Sequence, residues 1–252
     1  MFELTTVLGN RLCFHTKNDF TLYGLFQARY KLFKQVYFHK TVFSFELMMA
    51  DILINANSYF HFDTMVQSMP EYAKLTDSII YSIENTKSPL LAKSQQILKN
   101  IRQRNLYKLA CELISPLDIV NKCTEKDIIN CSESLKADDI VLGKFSIDYG
   151  CKDKNPIDSV FFYKTRDDKM PFHLKKQHTS LMISPIFQEH YTRIYVKDPS
   201  KREQAIEAIH KYFQKNCQIQ IGEGKDIYCS PPLIEKSNVP EIVEPKRKKL
   251  KF

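Results

Sequence analysis

The amino-acid sequence predicts a mainly α-helical fold that ends in a smaller α+β lobe. Three observations support this prediction. Apolar residues recur at helical spacing through about the first 105 residues, segments of strand composition follow, and the 252 residues include only six glycines. A hydrophobic content of 43% is enough to form a substantial core. We expect a helical segment over residues 1–105, an α+β lobe over residues 106–228 and a disordered basic tail over residues 229–252.

Helices dominate the first segment. The longest apolar stripe runs through residues 19–37 and carries aromatic side chains three and four positions apart: Phe20, Tyr23, Phe26, Tyr30, Phe33 and Tyr37. Further helices are predicted over residues 41–57 and 71–84, and from Pro89 to about Arg104, because proline is well tolerated at a first helical position. The residues before Asp19 are compatible with a strand.

Strands and helices alternate in the second segment. Strand composition is found over residues 107–114, 140–147, 160–163 and 192–196. Helices are predicted over residues 124–134, where Thr124 begins a sequence that resembles a capping box, and over residues 202–213.

Charge and hydropathy restrict the classes of partner. The formal net charge of +8 favours acidic partners such as nucleotides, nucleic acid or an anionic surface. Basic residues at 246–249 are compatible with a nuclear localisation signal or with a solvated tail.

The sequence shows no leader pattern and no run of 18 apolar residues, so we expect no contact with a membrane. Seven cysteines without a C-x-x-C pair favour reduced thiols.

The sequence offers no local signature of a metal site or a catalytic motif. None of the seven histidines precedes an aspartate or stands in H-x-x-x-H or H-E-x-x-H spacing, so no metal ligands are predicted. Gly222 and Gly224 form the only close glycine pair, and no Gly-Lys-Ser/Thr follows them as in a phosphate-binding loop.

Basic residues among aromatic ones suggest nucleotide binding. Arg29 and Lys31 lie within the aromatic stripe, which Phe38, His39 and Lys40 follow. A guanidinium or ammonium group can bind a triphosphate while a ring packs on a base or sugar. The same pattern is typical of a core helix with a solvated face, so both interpretations stay open on pattern alone.

Several segments, in the same order along the chain, resemble the SAM- and HD-domain dNTP triphosphohydrolases. The resemblance extends from about residue 11 to residue 235 and is carried by strings such as Leu22-Tyr23-x-x-Phe26-x-x-Arg29-x-x-Leu32, Arg104-Asn105-Leu106-Tyr107-Lys108, Asp148-Tyr149-Gly150 and Lys154-Asn155-Pro156-Ile157-Asp158. It implies an incomplete HD-domain dNTPase fold without the SAM domain and the HD motif. In that family a divalent metal in the HD core directs cleavage of a dNTP, and GTP and dNTP activators promote a homotetramer.

The resemblance also implies roles for individual residues. Arg29 matches an arginine on the substrate phosphates, and Tyr37 matches a tyrosine beside the substrate sugar. Positions that match contacts to activating nucleotides are Lys17, His39, Lys40, Arg104, Lys108 and Lys197. These side chains are cations or hydrogen-bond donors, which suits them to triphosphates.

The sequence departs from the family at several of these places. His15 and Thr21 replace an arginine and an asparagine at the activator site, and Phe38 replaces a glutamine near the substrate. Glu235 replaces a phosphorylated threonine close to the C-terminus, and Ser230 is a nearby alternative for modification.

These matches predict the C-terminal regulatory and oligomerisation portion of a dGTPase-like dNTP triphosphohydrolase. We expect no catalysis by this chain alone, because the HD metal ligands are not in it. Expected partners are GTP, dNTPs and either further copies of the chain or a full-length paralogue, in the nucleus or alternatively the cytoplasm. The alternative is a catalytically inactive short paralogue that binds nucleotides or single-stranded nucleic acid. Helices 19–37 and 41–57 should expose an apolar surface.

Overall fold

The computed structural model describes four ranges of the chain: residues 2–114, 121–165, 167–174 and 184–217. Its first strands, β1 (Thr5–Leu8) and β2 (Arg11–His15), form an antiparallel hairpin. Gly9 and Asn10 make the turn with φ of 55° and 62°, a conformation that glycine and asparagine tolerate. The residues before Asp19 therefore include two strands.

The aromatic stripe forms a continuous helical run, as predicted. Helix α1 (Asp19–Leu32) passes directly into a π-helical turn (Phe33–Tyr37), and α2 (Lys40–Phe60) begins shortly after it. His39 caps α2, because its Nδ1 accepts a hydrogen bond from the backbone N–H of Thr41 at 3.2 Å.

The single helix predicted over residues 71–84 is wrong. After the short helix α3 (Phe62–Met65), the chain forms two short helices in that range, α4 (Met69–Tyr72) and α5 (Ile79–Asn85). Between α4 and α5 the hydroxyls of Thr76 and Ser78 lie 2.7 Å apart. Short polar side chains that bond locally compete with helical hydrogen bonding, which accounts for the interruption.

Helix α6 (Ala92–Arg102) confirms the next prediction and packs against α2. The core between α2, α5 and α6 consists of five buried side chains: Ile52, Ala56, Ile83, Leu91 and Leu98. No helix among the described residues is both long and apolar enough to cross a membrane.

In its described residues the α+β lobe contains four strands: β3 (Lys108–Ile114), β4 (Ile140–Asp148), β5 (Phe161–Tyr163) and β6 (Gln188–Val196). Strands β3, β6 and β4 form an antiparallel sheet in that order. Strand β5 instead pairs in parallel with β2, so the small second sheet joins the start of the chain to the lobe.

Two helices cover the lobe's sheet. Helix α7 (Glu125–Ile129) is shorter than predicted, although Thr124 does cap it by accepting a hydrogen bond from the N–H of Asp127 at 3.3 Å. Helix α8 (Arg202–Cys217) packs on β3 and closes a core that includes Leu113, Ile194 and Phe213. The mainly α fold with an α+β lobe is therefore confirmed.

Helix α2 meets the lobe's sheet through Phe43. Its ring lies against Gly143 in β4, where an added Cβ atom would fall 2.1 Å from the Phe43 Cε1 atom. Met48, Tyr107 and Tyr195 complete this buried cluster. Glycine is therefore required at this crossing for steric reasons rather than for backbone freedom.

The predicted apolar surface on α1 and α2 is confirmed. Its large exposed side chains are Phe20, Leu25, Leu32 and Val36 in the first helical run and Val42, Phe45, Leu53 and Ile54 in the second. Of the fourteen residues of α1, only Leu22 is buried. The tail predicted over residues 229–252, with Ser230 and Glu235, lies outside the described residues.

Candidate functional site

A groove of about 230 Å³ opens where the start of α2, the turn before β3 and the end of β6 meet. Its lining residues are Lys40, Thr41, Ser44, Arg104, Leu106, Tyr107, Lys108, Leu109 and Tyr195. Two hydrogen bonds fix its walls. The Ser44 hydroxyl donates to the Tyr107 carbonyl at 2.8 Å, and the Tyr195 hydroxyl donates to the Lys40 carbonyl at 2.8 Å. These bonds tie the walls of the groove together, and Tyr107 and Tyr195 are its aromatic lining residues.

Three of the predicted phosphate-binding cations converge on this groove. Lys40 begins α2, Arg104 occupies the turn after α6 with φ of 62°, and Lys108 begins β3. All three side chains are exposed, and none forms an ion pair with another described residue. Their positive charge is therefore available to an anionic ligand.

Lys197 lies at the edge of the groove but is already paired. Its Nζ lies 2.8 Å from a carboxylate oxygen of Asp51 and 2.8 Å from one of Asp138. The Tyr107 hydroxyl also donates to Asp51, at 2.7 Å, and the Lys197 Nζ lies 5.8 Å from the centre of the Tyr107 ring.

The pairing shifts the ionisation of these groups. Burial favours a lower pKa for Lys197, but the hydrogen bonds to Asp138 and Asp51 outweigh it and raise the pKa. The hydrogen bond from Lys197 lowers the pKa of Asp138. Burial and the hydrogen bond to Asp51 raise the pKa of Tyr107, which keeps its hydroxyl protonated and donating.

The two predicted substrate contacts lie together near the other end of β4. Arg29 Nη1 donates to the Asp148 carbonyl at 2.6 Å and lies 3.2 Å from the Asp148 carboxylate. Its guanidinium stacks over the Phe33 ring at 4.5 Å, and the Tyr37 ring meets the same Phe33 edge-on at 5.1 Å. Tyr37 is 53% exposed, so its ring is free to contact another molecule.

The length of β4 separates Arg29 from Lys197. Asp148 ends the strand, whereas Lys197 follows Val196, which pairs with Ile140 at the strand's start. The nine residues of β4 span roughly 26 Å at strand spacing. Arg29 and Lys197 therefore lie at opposite ends of one strand, whereas Tyr37 is only three positions from Lys40 of the groove.

The remaining predicted positions are exposed and placed by local caps. Lys17 follows β2, and its backbone N–H donates to His15 Nδ1 at 3.1 Å. The Nδ1 of His39 is used to cap α2. Phe38 stacks on Phe145 at 4.4 Å, so the ring that replaces the family's glutamine packs against the lobe.

Comparisons with curated proteins identify the relatives of this chain. The deoxynucleoside triphosphate triphosphohydrolase SAMHD1 homolog of Dictyostelium discoideum is 35% identical to it over 219 residues, which cover 86% of this chain and 43% of that protein. The chain is homologous to the SAMHD1-type dNTP triphosphohydrolases. SAMHD1 of Gallus gallus is 30% identical over 237 residues, covering 83% of this chain and 38% of that protein.

A viral relative extends the group to HD-domain proteins. The putative HD domain-containing protein L394 of Acanthamoeba polyphaga mimivirus is 26% identical over 207 residues, covering 75% of this chain and 45% of that protein. No family model matches the chain. The chain spans less than half the length of each of these SAMHD1-type and HD-domain relatives.

The divalent metal implied for SAMHD1-type enzymes does not fit the described residues of this homologue. Among them, no three His, Cys, Asp or Glu side chains are grouped so that they could hold a metal ion. The chemistry that these residues can supply is binding and orientation of anionic groups by cations and aromatic rings.

Sequence reasoning missed the two carboxylates that hold Lys197. Asp51 did carry a signal, because it lies one turn from the buried Met48 and two turns from the buried Ser44, on the inner face of α2. An acidic residue on a buried helical face requires a partner. Asp138 carried no such signal, because it lies in an exposed turn before β4.

Proposed function

We propose that this chain is the regulatory and oligomer-forming portion of a dNTP triphosphohydrolase, and that its groove binds the triphosphate of an activating nucleotide. One observation carries the proposal. Lys40, Arg104 and Lys108 come from different parts of the chain, line one groove together with Tyr107 and Tyr195, and form no ion pair among the described residues.

The chemistry of the groove suits a triphosphate. Hydrogen bonds between ionised groups are shorter and stronger than neutral ones, and a planar guanidinium such as that of Arg104 can grip two phosphate oxygens at once. Lys40 and Lys108 supply point charges on either side. The rings of Tyr107 and Tyr195 give the groove an apolar surface against which a sugar or base can pack.

Arg29 and Tyr37 form the second part of the proposal, as contacts to a dNTP substrate. Tyr37 presents an exposed ring, and the Arg29 guanidinium, held over Phe33, lies close beside it. Neither residue activates water, so we propose that hydrolysis needs metal ligands from outside the described residues. Activation by GTP and dNTPs, a homotetramer and a nuclear location belong to the same proposal and rest on the resemblance.

Nucleotide binding by the purified chain tests the groove. We expect calorimetry to detect GTP or dNTP binding, and the variant Arg104→Ala/Lys108→Ala to bind at least ten times more weakly. Loss of one charge-assisted hydrogen bond costs about 1.5–3 kcal/mol, which corresponds to a factor of ten or more. Lys99→Ala, which removes an exposed cation from α6, is the matched control and should bind as the wild type does. Equal binding by all three proteins would contradict the proposal.

A second assay separates this proposal from its alternatives. Incubation of the chain with Mg²⁺, GTP and all four dNTPs should release no triphosphate. Release that Arg29→Ala abolishes would show that the chain catalyses the reaction by itself. Tight binding of single-stranded DNA that falls steeply with salt and ignores Arg104→Ala would favour the nucleic-acid-binding alternative.

A further inference from the structure

Each end of β4 holds a carboxylate against a cation that the groove or the substrate contact would use. Asp148 at the end of the strand holds Arg29, and Asp138 just before its start holds Lys197. In both pairs a carboxylate of the chain itself is the anionic partner of that cation. The Lys197 pair is the more informative, because two different carboxylates share that ammonium.

The two carboxylates on Lys197 differ in how firmly they are held. Asp51 lies on α2, is 17% exposed and also accepts the Tyr107 hydroxyl. Asp138 is 71% exposed, and its only other described partner is the exposed Lys93 at 3.5 Å. An ion pair with an exposed partner contributes little to stability, because water screens it and side-chain freedom is lost. Asp51 is therefore a fixed partner of Lys197, and Asp138 is a displaceable one.

The geometry places the displaceable carboxylate beside the groove. Lys108 pairs with Val196 across β3 and β6, so Lys197 continues from the same end of the sheet. Its ammonium also lies near the ring of Tyr107, which lines the groove. The Lys197 ammonium and the groove therefore share the Tyr107 ring as a common wall.

We propose that Asp138 is an internal competitor for the nucleotide phosphate, and that Asp51 positions Lys197 to receive that phosphate once Asp138 is displaced. This inference rests on the proposed function of the groove. A triphosphate carries more negative charge than a carboxylate and has several acceptor oxygens, so it displaces the exposed Asp138 while the bond to Asp51 persists. Asp138 then lowers the affinity of the empty site, and the site fills only at higher nucleotide concentration.

The neighbouring Asp139 has a different role. Its carboxylate accepts hydrogen bonds from the Lys136 backbone and from Lys201, both at 2.7 Å, and its carbonyl accepts the Lys197 N–H at 2.9 Å. These bonds fix the turn that presents Asp138. Substitution of Asp139 would disturb the turn itself and is unsuitable as a test.

The experiment measures binding of GTP and of inorganic triphosphate to four proteins: the wild type, Asp138→Asn, Asp51→Asn and Glu133→Gln. Glu133 is an exposed acid in the same connection before β4, so Glu133→Gln controls for the loss of one negative charge. We expect Asp138→Asn to bind both probes about three to ten times more tightly. Asp51→Asn, whose amide oxygen can still accept the Tyr107 hydroxyl, should bind more weakly. Glu133→Gln should stay within twofold of the wild type.

A further variant shows whether the tighter binding expected for Asp138→Asn depends on Lys197. In the Lys197→Ala background, Asp138→Asn should produce no tightening. Tightening that persists there, or unchanged or weaker binding by Asp138→Asn alone, would overturn the inference.

The same measurements distinguish failure of this inference from failure of the proposed function. Binding that Arg104→Ala/Lys108→Ala weakens but Asp138→Asn leaves unchanged would support the groove as the nucleotide site and contradict the role of Asp138 as a competitor. The absence of binding by every variant would contradict both. Circular dichroism verifies that each variant is folded.

Discussion

The α+β lobe and helix α1 differ in how they are held. The lobe packs α8 and α7 on a three-stranded sheet and buries a continuous core of fourteen side chains. Helix α1 buries only Leu22 and exposes large apolar side chains along much of its length. The lobe therefore carries its own stability, whereas α1 depends on a few contacts to elements on one side.

Helix α1 is held by a small hydrophobic cluster around Leu22, Ile157 and Phe162 and by aromatic and ionic contacts. Tyr149, which follows β4, stacks on Tyr30 at 5.4 Å, and the Tyr30 hydroxyl donates to Glu189 of β6 at 2.9 Å. Lys34 in the π-helical turn also reaches Glu189, at 3.1 Å. Helix α1 thus combines a small hydrophobic cluster with a polar one, whereas the lobe has a large hydrophobic core, so the two regions should respond differently to substitution.

Truncation inside the lobe should have the largest effect. Phe213 is fully buried, so Phe213→Ala should lower the free energy of unfolding by about 3–5 kcal/mol. The matched truncation Leu32→Ala on exposed α1 should change it by less than about 0.5 kcal/mol. Urea denaturation of both variants measures the difference, and equal losses would contradict the comparison.

Two glycines give the next contrast. Gly143→Ala places a Cβ against the Phe43 ring, so we expect a loss of about 1–3 kcal/mol from overpacking. Gly24→Ala in α1 meets nothing within 4 Å, and should raise helix stability by about 0.8 kcal/mol. Thermal melts of the two variants should move in opposite directions. A stabilised Gly143→Ala would show that α2 is not tightly packed on β4.

The polar cluster on α1 should make part of the stability depend on pH. Burial favours a higher pKa for Glu189, but hydrogen bonds from Tyr191, Tyr30 and Lys34 outweigh it and lower the pKa from its ordinary value. A carboxyl whose folded pKa is lowered stabilises the fold above its unfolded pKa, and this stability is lost as the pH falls through the folded pKa.

Glu189→Gln tests this cluster directly. The variant should lose about 1 kcal/mol at neutral pH, after allowance for solvent screening, and less below pH 4. Urea titrations at pH 7 and pH 3.5 make the comparison. A loss that is the same at both pH values would show that the carboxylate charge has no role.

The smallest effect on stability is expected on the apolar surface. Leu25→Ser/Leu32→Ser should leave the unfolding free energy within about 0.5 kcal/mol of the wild type. Because the exposed patch shrinks, the variant should bind less of an apolar fluorescent dye and self-associate less. Light scattering and dye fluorescence measure both properties. A wild-type chain that binds no dye would contradict the assignment of the patch.

Most elements could be predicted from local patterns. The aromatic stripe of α1, the proline before α6 and the threonine cap of α7 each depend on residues within one turn of one another. The prediction of one helix failed over residues 71–84, because the spacing of apolar residues gives no indication of the local hydroxyl contact between Thr76 and Ser78. The resemblance identified Lys40, Arg104, Lys108 and Lys197 as candidate phosphate contacts. The sequence did not indicate which of these cations form ion pairs within the chain.

The sequence by itself determined the fold class, the aromatic helix and the basic turn at Arg104 and Lys108, because each depends on side-chain types at short spacing. Only the tertiary structure decided that Lys40 joins those two residues in one groove while Lys197 is held by Asp51 and Asp138. Asp138 and Lys197 are 59 positions apart, and they meet only because β4 and β6 pair in their observed register. Charge pairing across such a separation follows from strand register and helix packing, which no local pattern specifies.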